Sequence, residues 1–127
     1  EIEMESLQRT YYERIGRDNL KQIIALFYEE IRNDAVLLPM YPGDLDAAEM
    51  RLFLFMVQYL GGPATYSERR GHPRLKMRHV NFPIDENAKE HWLACMKKAM
   101  DQVEMEEEAR NFLWSYFVYT ANFLINR

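Results

Sequence analysis

An all-α chain with four main helices is what this sequence predicts, and three observations carry that expectation. The 127 residues are rich in methionine, leucine and glutamate and poor in β-branched residues, a stock that favours helix over strand. All five prolines and four of the five glycines fall between positions 39 and 83, so both flanks can hold long unbroken helices while the middle holds the turns. On both flanks the apolar residues recur at helical spacing.

The first long helix starts at Asp18, a suitable N-cap after Gly16, and carries Leu20, Ile23, Ile24, Phe27 and Ile31 on one stripe before stopping near Asn33-Asp34. Val36-Leu37-Leu38 then makes a short apolar turn closed by Pro39-Met40-Tyr41-Pro42. A second helix begins near Asp46, which has capping-box spacing to Glu49, and ends at Gly61-Gly62-Pro63. Leu52, Phe53, Leu54, Phe55, Met56 and Val57 make it apolar on nearly every side, so it should be sandwiched. Residues 61–83 form a long connection with one short helical candidate, Arg74 to His79, and a connection of that length in a compact domain usually carries function. Asp85 caps a third helix running through Ala88, Trp92, Cys95, Met96, Ala99 and Val103. A fourth follows from about Glu106 through Ala109, Phe112, Leu113, Phe117 and Phe123.

Composition bounds the function. A formal net charge of −4 argues against general nucleic-acid binding, and no run of 18 apolar residues exists to span a membrane. The single cysteine, Cys95, excludes an internal disulfide and fits a reducing compartment, where it is expected to be a buried small apolar residue. The acidic start EIEMESLQRT does not read as a signal peptide, so a cytoplasmic protein is expected.

The central connection breaks the acidic pattern. Arg69, Arg70, Arg74, Lys76 and Arg78 oppose only Glu68 across positions 68–79. Such a cluster is either a solvated loop or a site for a small polyanion: a nucleotide, a phosphorylated metabolite or the carboxylates of a haem. No phosphate loop of GxxxxGK type is present, and HExxH, CxxC and CxxCH are absent, which excludes covalent haem attachment of the c type. Of three histidines, His91 is expected to face solvent and His72 to touch a ligand from its edge. His79 ends the short central helix, one turn after Leu75. On spacing alone a lone histidine is most often a surface or satisfied core imidazole, and aromatic stripes such as those holding Tyr28, Phe55, Trp92 and Phe117 are most often plain core. Tyr28 and Trp92 nonetheless carry polar hydrogens that need partners when buried.

With these residues in view the chain resembles the group II truncated haemoglobins, short globins built as a two-over-two helical sandwich enclosing a haem. The matching stretches are Phe27-Tyr28, Leu38-Pro39-Met40-Tyr41-Pro42, QYLGGPATYSERRGHPRLKMRH from Gln58 to His79, and His91-Trp92-Leu93-Ala94-Cys95-Met96. The resemblance covers about residues 11–126, leaving 1–10 as an N-terminal extension of a single domain. Leu60 departs from it, standing where some relatives have tryptophan.

The resemblance implies non-covalent haem b with His79 as the iron ligand, its other ring nitrogen donating to a backbone carbonyl. It implies a ligand pocket made by Tyr28, Tyr41 and Trp92, with Ala48 and Leu52 on the distal helix offering no hydrogen bond. Arg51, Tyr66 and Arg78 match positions that reach the propionates, His72 is expected to join them, and Leu75 and Phe55 to contact the haem. The implied activity is binding of O2, and of CO and NO, with slow release through Tyr and Trp hydrogen bonds. A redox enzyme using the same haem, a nitric-oxide dioxygenase or a peroxidase-like activity, is the alternative, and it requires an external reductase because the chain has no flavin or nicotinamide fingerprint. A haem-free helical interaction module is a third reading. The chain is expected to be a monomer or homodimer.

Overall fold

The protein is described by a computed structural model covering residues 9–79 and 83–127. Among the described residues seven α-helices follow in order: α1 (Tyr11–Ile15), α2 (Arg17–Arg32), α3 (Leu45–Tyr59), α4 (Thr65–Arg70), α5 (Leu75–His79), α6 (Glu86–Met100) and α7 (Glu107–Phe123), with a 3-10 turn at Leu38–Met40 between α2 and α3. The four long helices are the four expected. The described residues hold no strand and no helix long and apolar enough to cross a membrane. The extension expected at 1–10 falls almost wholly outside them.

Helix α2 packs on α3, α6 packs on α7, and α2 also packs on α6, which gives the two-over-two sandwich. The stripe on α2 explains its central place: Leu20, Ile23, Ile24, Phe27 and Ile31 are all fully buried. The apolar character of α3 has a different outcome from simple sandwiching. Phe53, Met56 and Val57 enter the core, whereas Ala48, Leu52 and Phe55 are half-buried and face a cavity.

Several boundaries differ from expectation, each for a local reason. Helix α2 begins at Arg17, one residue before the expected cap, because Gly16 at φ 92° already ends α1 and turns the chain. Asp44 rather than Asp46 caps α3, accepting from the amides of Asp46 (2.9 Å) and Ala47 (3.3 Å), and Asp46 instead pairs with Arg32 at 2.9 Å. Asp85 caps α6 as expected, accepting from Ala88 at 2.8 Å, but α6 ends at Met100, and Val103 is buried in the turn beyond. The connection holds a second helix, α4, which a reciprocal pair fastens to α3: Gln58 Nε2 donates to Ser67 Oγ (2.7 Å) and Ser67 N donates to Gln58 Oε1 (2.9 Å).

The Gly61-Gly62 pair is required by close approach. A Cβ on Gly61, which sits at φ 105°, would meet Thr10 at 2.8 Å, and one on Gly62 would meet Val57 at 2.8 Å. The end of the chain reaches back to the histidine helix, where Asn126 exchanges hydrogen bonds with Ile84 (2.9 and 3.0 Å) and its side-chain amide donates to the carbonyl of His79 at 3.2 Å.

Candidate functional site: an apolar cavity with one tautomer-fixed imidazole

A cavity of about 500 Å³ opens between α3, α5 and α6 and is closed at its sides by α2, the 3-10 corner and the end of α7. Tyr28, Tyr41, Ala48, Arg51, Leu52 and Phe55 line it from the first half of the chain. Tyr66, Leu75, Arg78, His79 and Trp92 line it from the second. His72 does not line it. That residue is exposed on a neighbouring shallow pocket with Arg70, Arg74 and Met77, and its Nδ1 accepts from the backbone N–H of Arg74 at 3.1 Å.

The His79 ring has a fixed tautomer. Its Nδ1 lies 2.6 Å from the carbonyl oxygen of Leu75, one helical turn earlier. A carbonyl can only accept, so Nδ1 carries a proton, and in the neutral ring the lone pair is on Nε2, the tautomer a metal-ligating imidazole needs.

Three polar hydrogens meet in the pocket, and one of them is spent on a neighbour. Trp92 Nε1 donates to the Tyr41 hydroxyl at 3.2 Å, and the Tyr41 ring meets Tyr28 edge to face with centroids 5.8 Å apart. Because the Tyr41 oxygen accepts from Trp92, its own proton is left to donate elsewhere. The Tyr28 hydroxyl makes no hydrogen bond to a protein group among the described residues, although the residue is only 3% exposed. Burial raises the Tyr28 phenol far above its ordinary value, helped by the neighbouring Tyr41. Burial likewise pushes Tyr41 up to about 12, against the opposing effect of the Trp92 bond. Both hydroxyls therefore keep their protons, and remain donors, throughout the neutral pH range. Phe27 and Phe117 brace the Trp92 ring with centroids at 4.8 and 5.5 Å.

The cations around the opening divide into two kinds. Arg51 is exposed and lines the cavity. Arg78 is committed to the loop, with Nε donating to Pro73 O (2.7 Å) and Nη2 to Arg70 O (3.0 Å), so it organises the turn between α4 and α5 as well as bordering the cavity. Arg70, a member of the basic cluster, also lines it, as does Lys89, which the sequence did not mark out. The available signal for Lys89 was its position three residues before Trp92, on the same helical face. Lys89 pairs with Glu86 at 2.5 Å and donates to Asn122 at 3.1 Å.

The remaining sequence expectations resolve simply. Cys95 is buried, and burial together with Asp34 pushes its thiol up to about 11, which leaves it protonated and unreactive. His91 does not simply face solvent, because its ring nitrogen is bound to Asp34 at 2.9 Å.

The donor set fits haem. The described residues hold no group of three or more metal-ligating side chains that could cage a bare cation. Haem brings four nitrogen ligands of its own and asks the protein for one imidazole, an apolar slot and cations for two carboxylates. His79, the apolar walls of α3 and the arginines at the opening could supply those three things.

Comparison with known proteins agrees with this class of pocket. The family model of bacterial-like globins matches residues 10–126. The chain is 42% identical over 116 residues to Group 2 truncated hemoglobin YjbI of Bacillus subtilis (strain 168), covering 91% of this chain and 88% of that protein. It also matches the structure of a haemoglobin from the thermophilic phototroph Chloroflexus aurantiacus with a TM-score of 0.91 and 40% identity, covering 94% of this chain and 100% of that one. A truncated oxygen-avid haemoglobin from Bacillus subtilis matches with a TM-score of 0.89 and 42% identity, covering 93% and 100%. The chain belongs to the bacterial-like globin family. Within it, this protein is a group II truncated haemoglobin, and haem iron is the cofactor that membership implies.

Proposed function

We propose that this protein binds oxygen at a non-covalent haem b held by His79 and releases it slowly. The observation that carries the reading is one cavity containing both an imidazole whose Nδ1 is committed to Leu75 and two phenols that keep their protons. Bound haem supplies the reversible bond to a diatomic gas. Everything else is done by the chain. His79 Nε2 offers the lone pair, and the Leu75 carbonyl strengthens it as a donor by drawing on the Nδ1 proton. Tyr28 and Tyr41 present hydroxyl protons to a polarised ligand, while Trp92 holds the Tyr41 oxygen so that its proton points away from the indole. Ala48 and Leu52 exclude water and contribute no hydrogen bond.

The similar truncated haemoglobin from Bacillus subtilis is oxygen-avid, which supports slow release here. CO and NO would enter the same space, and CO, being less polar, gains less from the phenols. Reduction of the iron calls for an external reductase. Visible spectra of the ferric, ferrous and oxygen-exposed protein, followed by stopped-flow oxygen release, test the reading. A Soret band, a stable oxygenated spectrum and release slower than from myoglobin are expected. Failure to take up haem, or release faster than from myoglobin, would overturn it.

Arg51 and Arg70, which both line the cavity, would meet the propionates, Tyr66 would donate to one of them, and Arg78 would hold the loop that presents them. Exposed ion pairs contribute about 0–1 kcal/mol each, so each arginine should slow haem loss by up to about fivefold. An Arg51→Ala, Arg70→Ala double variant should pass haem to apomyoglobin several times faster than wild type. Equal transfer rates would assign these arginines to solvation alone.

A further inference from the structure

Asp34 lies outside the cavity, yet it is the root of the corner that carries Tyr41. Its Oδ1 accepts from the amides of Val36 (2.9 Å) and Leu37 (2.8 Å), and its backbone oxygen accepts from Leu38 N at 3.0 Å. The 3-10 turn continues from there, with Met40 N donating to Leu37 O (2.8 Å) and Tyr41 N to Leu38 O (3.1 Å). The backbone of Tyr41 is thus placed by a run of hydrogen bonds that begins on Asp34.

The second oxygen of the same carboxylate faces α6. Oδ2 accepts from His91 Nδ1 at 2.9 Å and, one helical turn on, from Cys95 Sγ at 3.8 Å. A carboxylate oxygen only accepts, so His91 Nδ1 carries the proton. The next residue is Trp92, whose indole N–H is bound to the Tyr41 hydroxyl. Two bridges therefore join the same two elements: Asp34–His91 at the rim and Tyr41–Trp92 inside. Among the described residues these, with the Cys95 contact, are the hydrogen bonds between the corner and α6.

The surrounding charges leave this pairing intact. Glu30 on α2, one turn before Asp34, faces Lys98 on α6 at 3.5 Å. Burial pushes the Asp34 carboxyl up, but the bonds from His91, Leu37 and Val36 outweigh it and hold the group below its ordinary value. The acceptor stays ionised at neutral pH.

We propose that Asp34 and His91 are positioning residues for the ligand-binding phenol, clamping the corner that carries Tyr41 to the helix that carries Trp92. This rests on the reading of Tyr41 as a donor to bound oxygen. Neither residue touches the cavity, so their effect runs entirely through the Tyr41–Trp92 bond. Loss of the rim bridge lets the corner move away from α6, lengthens the inner bond and turns the Tyr41 proton out of line.

Three variants test this in the haem-loaded protein. His91→Leu removes the donor but keeps an apolar stem. His91→Asn restores it, because the Asn amide nitrogen stands the same number of bonds from Cα as Nδ1. Tyr41→Phe removes the donor that the clamp is said to aim. In His91→Leu, oxygen dissociation should accelerate about threefold, the range that a half-exposed bridge can supply. CO dissociation should stay within about 1.5-fold, and His91→Asn should return oxygen release to near the wild-type rate. Hydrogen exchange of the Trp92 indole N–H, followed by NMR in the CO form, should quicken in His91→Leu and recover in His91→Asn. Wild-type oxygen release and indole exchange in His91→Leu, with Tyr41→Phe accelerated, would overturn the clamp and leave the reading of the cavity standing. Silence in Tyr41→Phe as well would remove the phenol, and the clamp with it. Equal acceleration of both gases, or no recovery in His91→Asn, would reduce His91 to a general packing role and overturn the proposal.

Discussion

Replacing His79 by alanine should leave the protein unable to retain haem with a protein ligand on the iron. The Nδ1 bond to Leu75 orients the ring so that Nε2 is the nitrogen that would coordinate iron, and neither of the other two histidines lines the cavity. His72 is exposed outside the cavity lining, and His91 is bound to Asp34, also outside that lining. Loss of the axial bond should speed haem transfer to apomyoglobin at least about a hundredfold, equivalent to about 2.8 kcal/mol. Any haem still bound in the apolar slot should lack the iron–histidine stretch in resonance Raman. An unchanged ferrous-CO spectrum with that stretch intact would show that His79 is not the ligand. A Leu75 substitution cannot mimic the effect, since the carbonyl belongs to the backbone. The sequence therefore needs only a helical turn ending in histidine to set this tautomer.

That economy explains why some features were legible in the sequence and others were not. The stripe Leu20, Ile23, Ile24, Phe27, Ile31 has one arrangement that buries all five residues, so α2 and its central place follow from spacing. The placement of proline and glycine likewise marks where long helices cannot run. Helix α4 has no such signal. Its six residues, Thr65–Arg70, carry no apolar period, and the helix is fastened by the Gln58–Ser67 pair, a contact invisible without the fold. The α3 cap moved for a similar reason: Asp46 has cap chemistry, but a partner in Arg32 and a better-placed Asp44 decide the boundary. In the site, residue type and the family resemblance singled out His79, Tyr28, Tyr41 and Trp92, which line one cavity. They could not show that Arg78 is bound to loop carbonyls, that Lys89 borders the cavity, or that Trp92 donates to Tyr41. These facts depend on where side chains from separate helices meet.

The Trp92 bond changes how the ligand pocket should respond to substitution. Read from sequence, Tyr28, Tyr41 and Trp92 are three parallel donors, so Trp92→Phe would delete one of them. In the structure the indole N–H is directed at the Tyr41 oxygen, and the substitution acts in two ways. It leaves the Tyr41 hydroxyl free to rotate, so its proton is no longer held toward the cavity, and it opens space beside Phe27 and Phe117. A hydrogen bond to a charged or strongly polarised acceptor contributes about 1.5–3 kcal/mol. Misaiming one such donor should therefore quicken oxygen dissociation about tenfold or more, about 1.4 kcal/mol. Tyr41→Phe should produce an effect of similar size. The double variant should be little worse than either single one, because the two residues act as one unit and their losses do not add. CO dissociation should change less, since bound CO is the poorer acceptor. Stopped-flow rates for both gases in the three variants separate the causes. Additive losses for oxygen would mean that Trp92 donates to the ligand independently of Tyr41, and equal acceleration of oxygen and CO would mean that Trp92→Phe acts only by opening space.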